Sequence, residues 1–216
     1  MRLLLCKMLL TAVLAAPLLA ETDTATLPPG FPVEEVRRHE QLHSRLNLVP
    51  HTKAQFEQQR TMPSGRVLHS RGVFEFRRGV GMMWRTEAPV RTAMIISGTE
   101  LTVYGSRGQE LRRTRLEGSP FARYSTAFLG GVKPADLSSL SRAFYVTGRE
   151  SGQQLVLGMQ ARRDEMDLRW LMVEVDGGNV TRVEFYSARQ GRTAIQFKEI
   201  KNSQEIPATP FRILER

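Results

Sequence analysis

The string His39-Glu40-Gln41-Leu42-His43 reads H-E-x-x-H. On a helix that spacing sets two imidazoles one turn apart, where both can bind zinc, with the glutamate between them placed to activate a metal-bound water. A catalytic zinc centre also needs a third protein ligand. The residues that follow, Ser44 to Val49, lack the downstream Gly and His of one zinc-protease class. The other class takes a Glu from a second helix, and the nearest candidate, Glu57, falls where a strand is expected to open. At 100° per residue His39 and His43 share a face with Val36, Leu42 and Leu46, so the ordinary reading is two half-buried histidines at a helix–sheet seam. An HExxH zinc hydrolase stays as an alternative. Other constellations are weaker. His51 and His69 are isolated, no G-x-S-x-G elbow occurs, and Gly79-Val80-Gly81 lacks the third glycine and following helix of a dinucleotide site. Asp164, Glu165 and Asp167 cluster in an expected hairpin turn, where solvation explains them. The expectation is no enzyme activity, no catalytic residue, no cofactor and no metal.

The elements that must position any site begin after a targeting segment. Arg2 and Lys7 precede an apolar run from Met8 to Leu19, and Ala20 suits cleavage, which reads as a secretory signal peptide over 1–20 cut before Glu21. The one cysteine, Cys6, lies inside it, so the mature chain is expected to carry no thiol. Removing the segment takes two of the 31 basic residues and none of the 22 acidic ones, leaving a mature charge of +7. Nucleic acid is a poor partner for an exported protein, whereas anionic head groups or an acidic partner suit a basic surface. The plain alternative is arginine on solvated strand faces.

A polar leader over 21–31 ends in Pro28-Pro29-Gly30, and residues 32–216 are expected to form a single domain. From Pro32 to about Asn47 the spacing predicts a helix, with Pro32 in its first turn, Glu34 and Glu35 near its positive end and Pro50 beyond it. From Thr52 the apolar period becomes two. Phe74 and Phe76 alternate with Val73, Glu75 and Arg77, and Met82 and Trp84 share one face of the next strand. Glycine turns such as Ser97-Gly98 and Gly177-Gly178-Asn179 punctuate the strands. A second helical stretch is expected over 119–142, interrupted by Gly130-Gly131. The fold class expected is mainly β with α: about ten or eleven antiparallel strands in a strongly curved sheet, an incomplete β-barrel, with an N-terminal helix and a mid-chain helical lid over its concave face.

The apolar supply exceeds what a merely capped small sheet requires. Phe56, Phe74, Phe76, Met82, Trp84, Met94 and Ile96 in the first run of strands, Phe128 and Leu129 in the insertion, and Leu171, Val173, Phe185, Ile195 and Phe197 in the second run are expected to line a cavity for an apolar ligand. A plain core is the bland alternative. Acyl burial stabilises by about 0.8 kcal/mol per methylene, so a few chain carbons suffice for useful affinity.

The stretch AQFEQQRTMPSGRVLHSRGVFEFRRGVGMMWRTEAPVRTAMIISGTELTVY is similar to the LolA family of periplasmic lipoprotein carriers. The family pattern appears as Phe56 and Gln58 opening a strand, Gly72 to Arg78, Met82 to Pro89 with its tryptophan, and Met94 to Tyr104. The resemblance implies a half-barrel with a helical lid over a hydrophobic cavity, and a monomer that ferries acylated lipoproteins. The donor would be an inner-membrane transporter and the acceptor an outer-membrane protein. It implies cavity lining by Met82 and Trp84 and a lid-gating role for Arg78. This chain departs from the family in carrying Gly79 where proline usually follows that arginine, and in ending at PATPFRILER where relatives often extend further. The resemblance leaves two further readings open: an accessory protein for export of another acylated or polyene lipid, and a periplasmic sensor of lipid or lipoprotein.

Overall fold

Alternating sequence and glycine turns produce strands wherever the chain can pair with its neighbour. The computed structural model describes residues 27–33, 49–115, 142–163 and 166–213. Eleven strands run β1 (His51–Thr61), β2 (Val67–Arg77), β3 (Gly81–Ala88), β4 (Thr92–Ser97), β5 (Glu100–Tyr104), β6 (Glu110–Arg115), β7 (Phe144–Ser151), β8 (Gln154–Ala161), β9 (Leu168–Asp176), β10 (Asn179–Ser187) and β11 (Gly191–Ser203). All belong to one antiparallel sheet in the order β6-β5-β4-β3-β2-β1-β11-β10-β9-β8-β7. Two meanders, β1 to β6 and β7 to β11, are therefore zipped together by β1 and β11, the first and last strands. The turn between β9 and β10 shows why the meander closes so tightly. Gly177 and Gly178 both have positive φ, 53° and 81°, which a two-residue hairpin matched to strand twist requires and which side chains resist.

The expected fold class is corrected on one point. Among the described residues the protein is a curved, open, eleven-stranded antiparallel sheet with no helical element, and helical backbone is confined to Arg142 and Ala143. Pro32 and Val33, where the first helix should begin, are irregular, and the remainder of that stretch and of the insertion lies outside the described residues. The helix readings rested on short runs of 3.6-residue spacing, with Pro32, Glu34 and Glu35 as start signals for the first and Gly130-Gly131 interrupting the second. Such local signals carry no information on pairing across a sheet, which fixes the described residues.

Register divides the side chains between two faces. Phe74 stands opposite Trp84 and Trp84 opposite Met94, while Phe76, Met82 and Ile96 form the next rung. Across the zipper Phe56 opposes Phe197, and Val173, Val183 and Ile195 form one line through β9, β10 and β11. Directly opposed residues share a face, so these define one apolar side. It holds two buried clusters, one on β7 to β9 and one on β1 to β4 with β11, and Val180, Val183 and Phe185 of β10 pack against both. Gly72 belongs to this side because a Cβ there would lie 1.9 Å from the Arg85 carbonyl oxygen.

The opposite face is charged in sequence but partly covered. Segment 27–33 lies on its β7 to β9 end, where Pro28 and Pro32 are buried and Phe31 meets Trp170 edge to face at 6.4 Å. At the β2–β3 end the stretch 207–212 lies along the strands as a strap, held by Arg77 and Arg85.

Candidate functional site

Strand alternation brings the expected cavity residues together on the apolar face, except Phe128 and Leu129, which lie outside the described residues. Their centre is aromatic. Trp84 lies 5.0 Å from both Phe56 and Phe74 and 5.8 Å from Phe197, with Phe74 and Phe197 at 5.5 Å, all at the tilted or edge-on angles that ring quadrupoles favour. Exposure is uneven across the face. Phe56, Phe74, Ile96 and Val173 are almost inaccessible, whereas Trp84, Met94 and Phe185 are half-buried. The half-buried group can touch a guest without first being uncovered. Sequence reasoning passed over Leu155, Leu157, Met159, Phe144 and Val146, which build the second cluster. Their own alternation was the available signal.

The charged groups on the opposite face form pairs. Arg77 is 4% exposed, its Nε donates to Glu75 Oε1 at 2.7 Å, and Nη1 donates to the carbonyls of Pro207 (3.3 Å) and Thr209. Its guanidinium also sits 4.4 Å from the Phe211 ring centroid. His51 Nε2 lies 3.1 Å from the same Glu75 oxygen. Arg85, 6% exposed, donates to the Arg212 carbonyl at 3.1 Å and to Glu87 at 3.1 Å. Glu184, 1% exposed, accepts from Arg182 at 2.7 Å and from Arg192, whose guanidinium reaches over Trp170. Arginine on solvated strand faces was the plain alternative, but Glu75, Arg77, Arg85 and Glu184 are buried. For Arg77 and Arg85 the available signal is the apolar content of the segment after the last strand, Ile206 to Phe211, which needs a surface to cover.

At the β6 edge Arg113 bridges Glu110 (2.8 Å) and Glu100 (3.0 Å). The hydrogen bond from Arg113 holds the Glu110 carboxyl below its ordinary range, and the two carboxylates in turn raise the guanidinium above its own.

Arg78, the expected gating residue, follows β2 on an exposed turn, and its backbone N–H donates to the Pro50 carbonyl at 2.7 Å. Its neighbour Arg77 donates to main-chain carbonyls of the 207–212 stretch. His39, Glu40 and His43 lie outside the described residues. Among the described residues no group of three or more His, Cys, Asp or Glu is placed to hold a metal ion.

Residues 48–214 match the family model described as outer membrane lipoprotein carrier protein LolA. No curated protein matches the chain in sequence. Solved structures are similar at low identity. A LolA superfamily protein from Nitrosomonas europaea is 10% identical, covering 78% of this chain and 92% of its own, with a TM-score of 0.40. A putative outer membrane lipoprotein-sorting protein domain from Vibrio parahaemolyticus is 10% identical over 79% of this chain and 93% of its own, TM-score 0.40. The MucA/MucB complex of Pseudomonas aeruginosa matches at 14% identity over 78% of this chain and 59% of that one, TM-score 0.43. The match to the family model runs from just before β1 to just beyond the strap, and so takes in the whole sheet; the chain belongs to the LolA family.

Proposed function

We propose that the protein is a periplasmic carrier that holds the acyl chains of lipoproteins, or of another lipid, against the apolar face of its sheet. It takes cargo from an inner-membrane donor and delivers it to an outer-membrane acceptor, with no catalytic step. One observation carries this reading: Val180, Val183 and Phe185 join two separate apolar clusters into one continuous surface, and on this face Trp84, Met94 and Phe185 are only half-buried. A closed core covers its large apolar side chains fully, whereas a chain-binding surface keeps some of them within reach of a guest. Each methylene moved from water to such a surface contributes about 0.8 kcal/mol, so six carbons supply roughly 5 kcal/mol. Most side chains of the face are already shielded, so cargo exchanges one set of apolar contacts for another and the net affinity falls below that figure. Moderate affinity suits a protein that must also release what it carries.

The two tryptophans allow a direct test, because Trp84 lies on the apolar face and Trp170 on the opposite one. Brominated acyl chains quench tryptophan on contact. Quenching of the wild-type chain that disappears in Trp84→Phe supports the reading. Absence of quenching, or quenching that persists in Trp84→Phe, rejects it.

A further inference from the structure

We infer that the polar face of the sheet carries a second, separate binding site, for an extended acidic polypeptide segment of a partner protein. The argument begins with what this face already binds. The strap over 207–212 is irregular chain, and among the described residues it makes no backbone–backbone hydrogen bond to a strand. It is held by side chains instead: Arg77 on the carbonyls of Pro207 and Thr209, Arg85 on the carbonyl of Arg212. Carbonyl oxygens recur in every residue, so this recognition reads extended backbone and ignores side-chain identity.

The strap runs along β2. Arg77 stands opposite Gly81, and Arg85 opposite Val73 further back along the strand. The next positions of β2 on the same face are Arg71 and His69, and there an open groove of about 530 Å³ begins. It crosses from Ala88 and Pro89 past Glu57 and Gln59 of β1 to Gln196 of β11 and Arg182 of β10. The groove thus starts beyond the strap on β2 and reaches across the sheet to β10. Five neighbouring strands at about 4.8 Å make it roughly 19 Å across, the length of about six extended residues at ~3.3 Å each.

Its chemistry suits the same class of ligand as the strap. Gln59 and Gln196 each offer amide donors and an acceptor, and neither they nor His69 and Arg71 has a side-chain hydrogen-bond partner among the described residues. Glu57, by contrast, is engaged by Lys198 at 2.7 Å, and Arg182 by Glu184. The uncommitted charge in the groove is thus cationic, on Arg71. Amides pair with peptide N–H and C=O groups, and the guanidinium takes a carboxylate. The site stands on the face opposite the apolar one and does not depend on what that face carries.

The test uses the full mature chain and two dye-labelled pools of N-acetylated hexapeptides, alike except that one carries two Asp and the other two Lys. Fluorescence anisotropy is expected to show the Asp pool binding at least tenfold more tightly than the Lys pool. Arg71→Glu is expected to weaken that binding at least tenfold while leaving the urea midpoint and the quenching of Trp84 by brominated acyl chains unchanged. The inference is overturned if neither pool binds, if Arg71→Glu leaves Asp-pool binding intact, or if phosphatidylglycerol vesicles bind in an Arg71-dependent way while the Asp pool does not. The last result would assign the groove to lipid head groups.

Discussion

Replacing Arg77 by methionine isolates the energetics of the covered polar face. The side chain is nearly inaccessible, and it shares a Glu75 oxygen whose own residue is 7% exposed. Methionine keeps much of the volume and all of the apolar stem but removes the charge. Glu75 is then left with His51 alone at 3.1 Å, and the carbonyls of Pro207 and Thr209 lose their donor. Stranding one partner of a buried ion pair costs about 3–5 kcal/mol, and each lost strap hydrogen bond roughly 1 more. Against a typical total of about 5–15 kcal/mol, this is enough to lower the urea midpoint visibly. The double variant Glu75→Gln with Arg77→Met removes the stranded charge, and so is expected to lose less than Arg77→Met alone. Limited proteolysis within 207–212 should quicken in both variants. A loss under about 1 kcal/mol in the single variant, or a double variant worse than the single, would refute the buried-pair reasoning.

Other perturbations address separate parts of the molecule. Gly72→Ala places a methyl on the backbone oxygen of Arg85, which cannot swing aside as a side chain can; a loss of about 1–3 kcal/mol or more is expected in thermal melts. Arg78→Leu, at an exposed turn, is expected to change the rate at which bound lipid is released, measured by stopped-flow transfer to acceptor vesicles, with the melting temperature unchanged. The Glu110 carboxyl is depressed by Arg113, so the stability it contributes is complete above its unfolded value and is lost as pH falls through the lowered one. Hydrogen-exchange protection in β6, taken relative to the intrinsic rate at each pH, should therefore fall in acid and be less pH-dependent in Glu110→Gln.

Much of the sheet was legible because its information is local. The alternation of Phe74 and Phe76 with Glu75 and Arg77 sets β2 and assigns its two faces, and Asp176-Gly177-Gly178-Asn179 spells a two-residue turn. The members of the apolar site follow from the same alternation. What local pattern does not encode is contact between distant segments. Pairing of β1 with β11 brings Phe56 to Phe197, and neither strand signals the other. Arg77 and Glu75 look like solvated strand residues until the strap, more than a hundred positions later, covers them. The same limit explains why nothing in the local sequence marks Arg85 as a buried partner of the Arg212 carbonyl.

The central claim concerns cargo on the apolar face. The mature chain, purified from the periplasm under mild conditions, can be taken into native mass spectrometry and its adducts released and identified. The account expects an acylated molecule bound at one per chain, and its loss or marked depletion in Trp84→Lys isolated in the same way. Chains that arrive bare, or acyl adducts that persist undiminished in that variant, would contradict it.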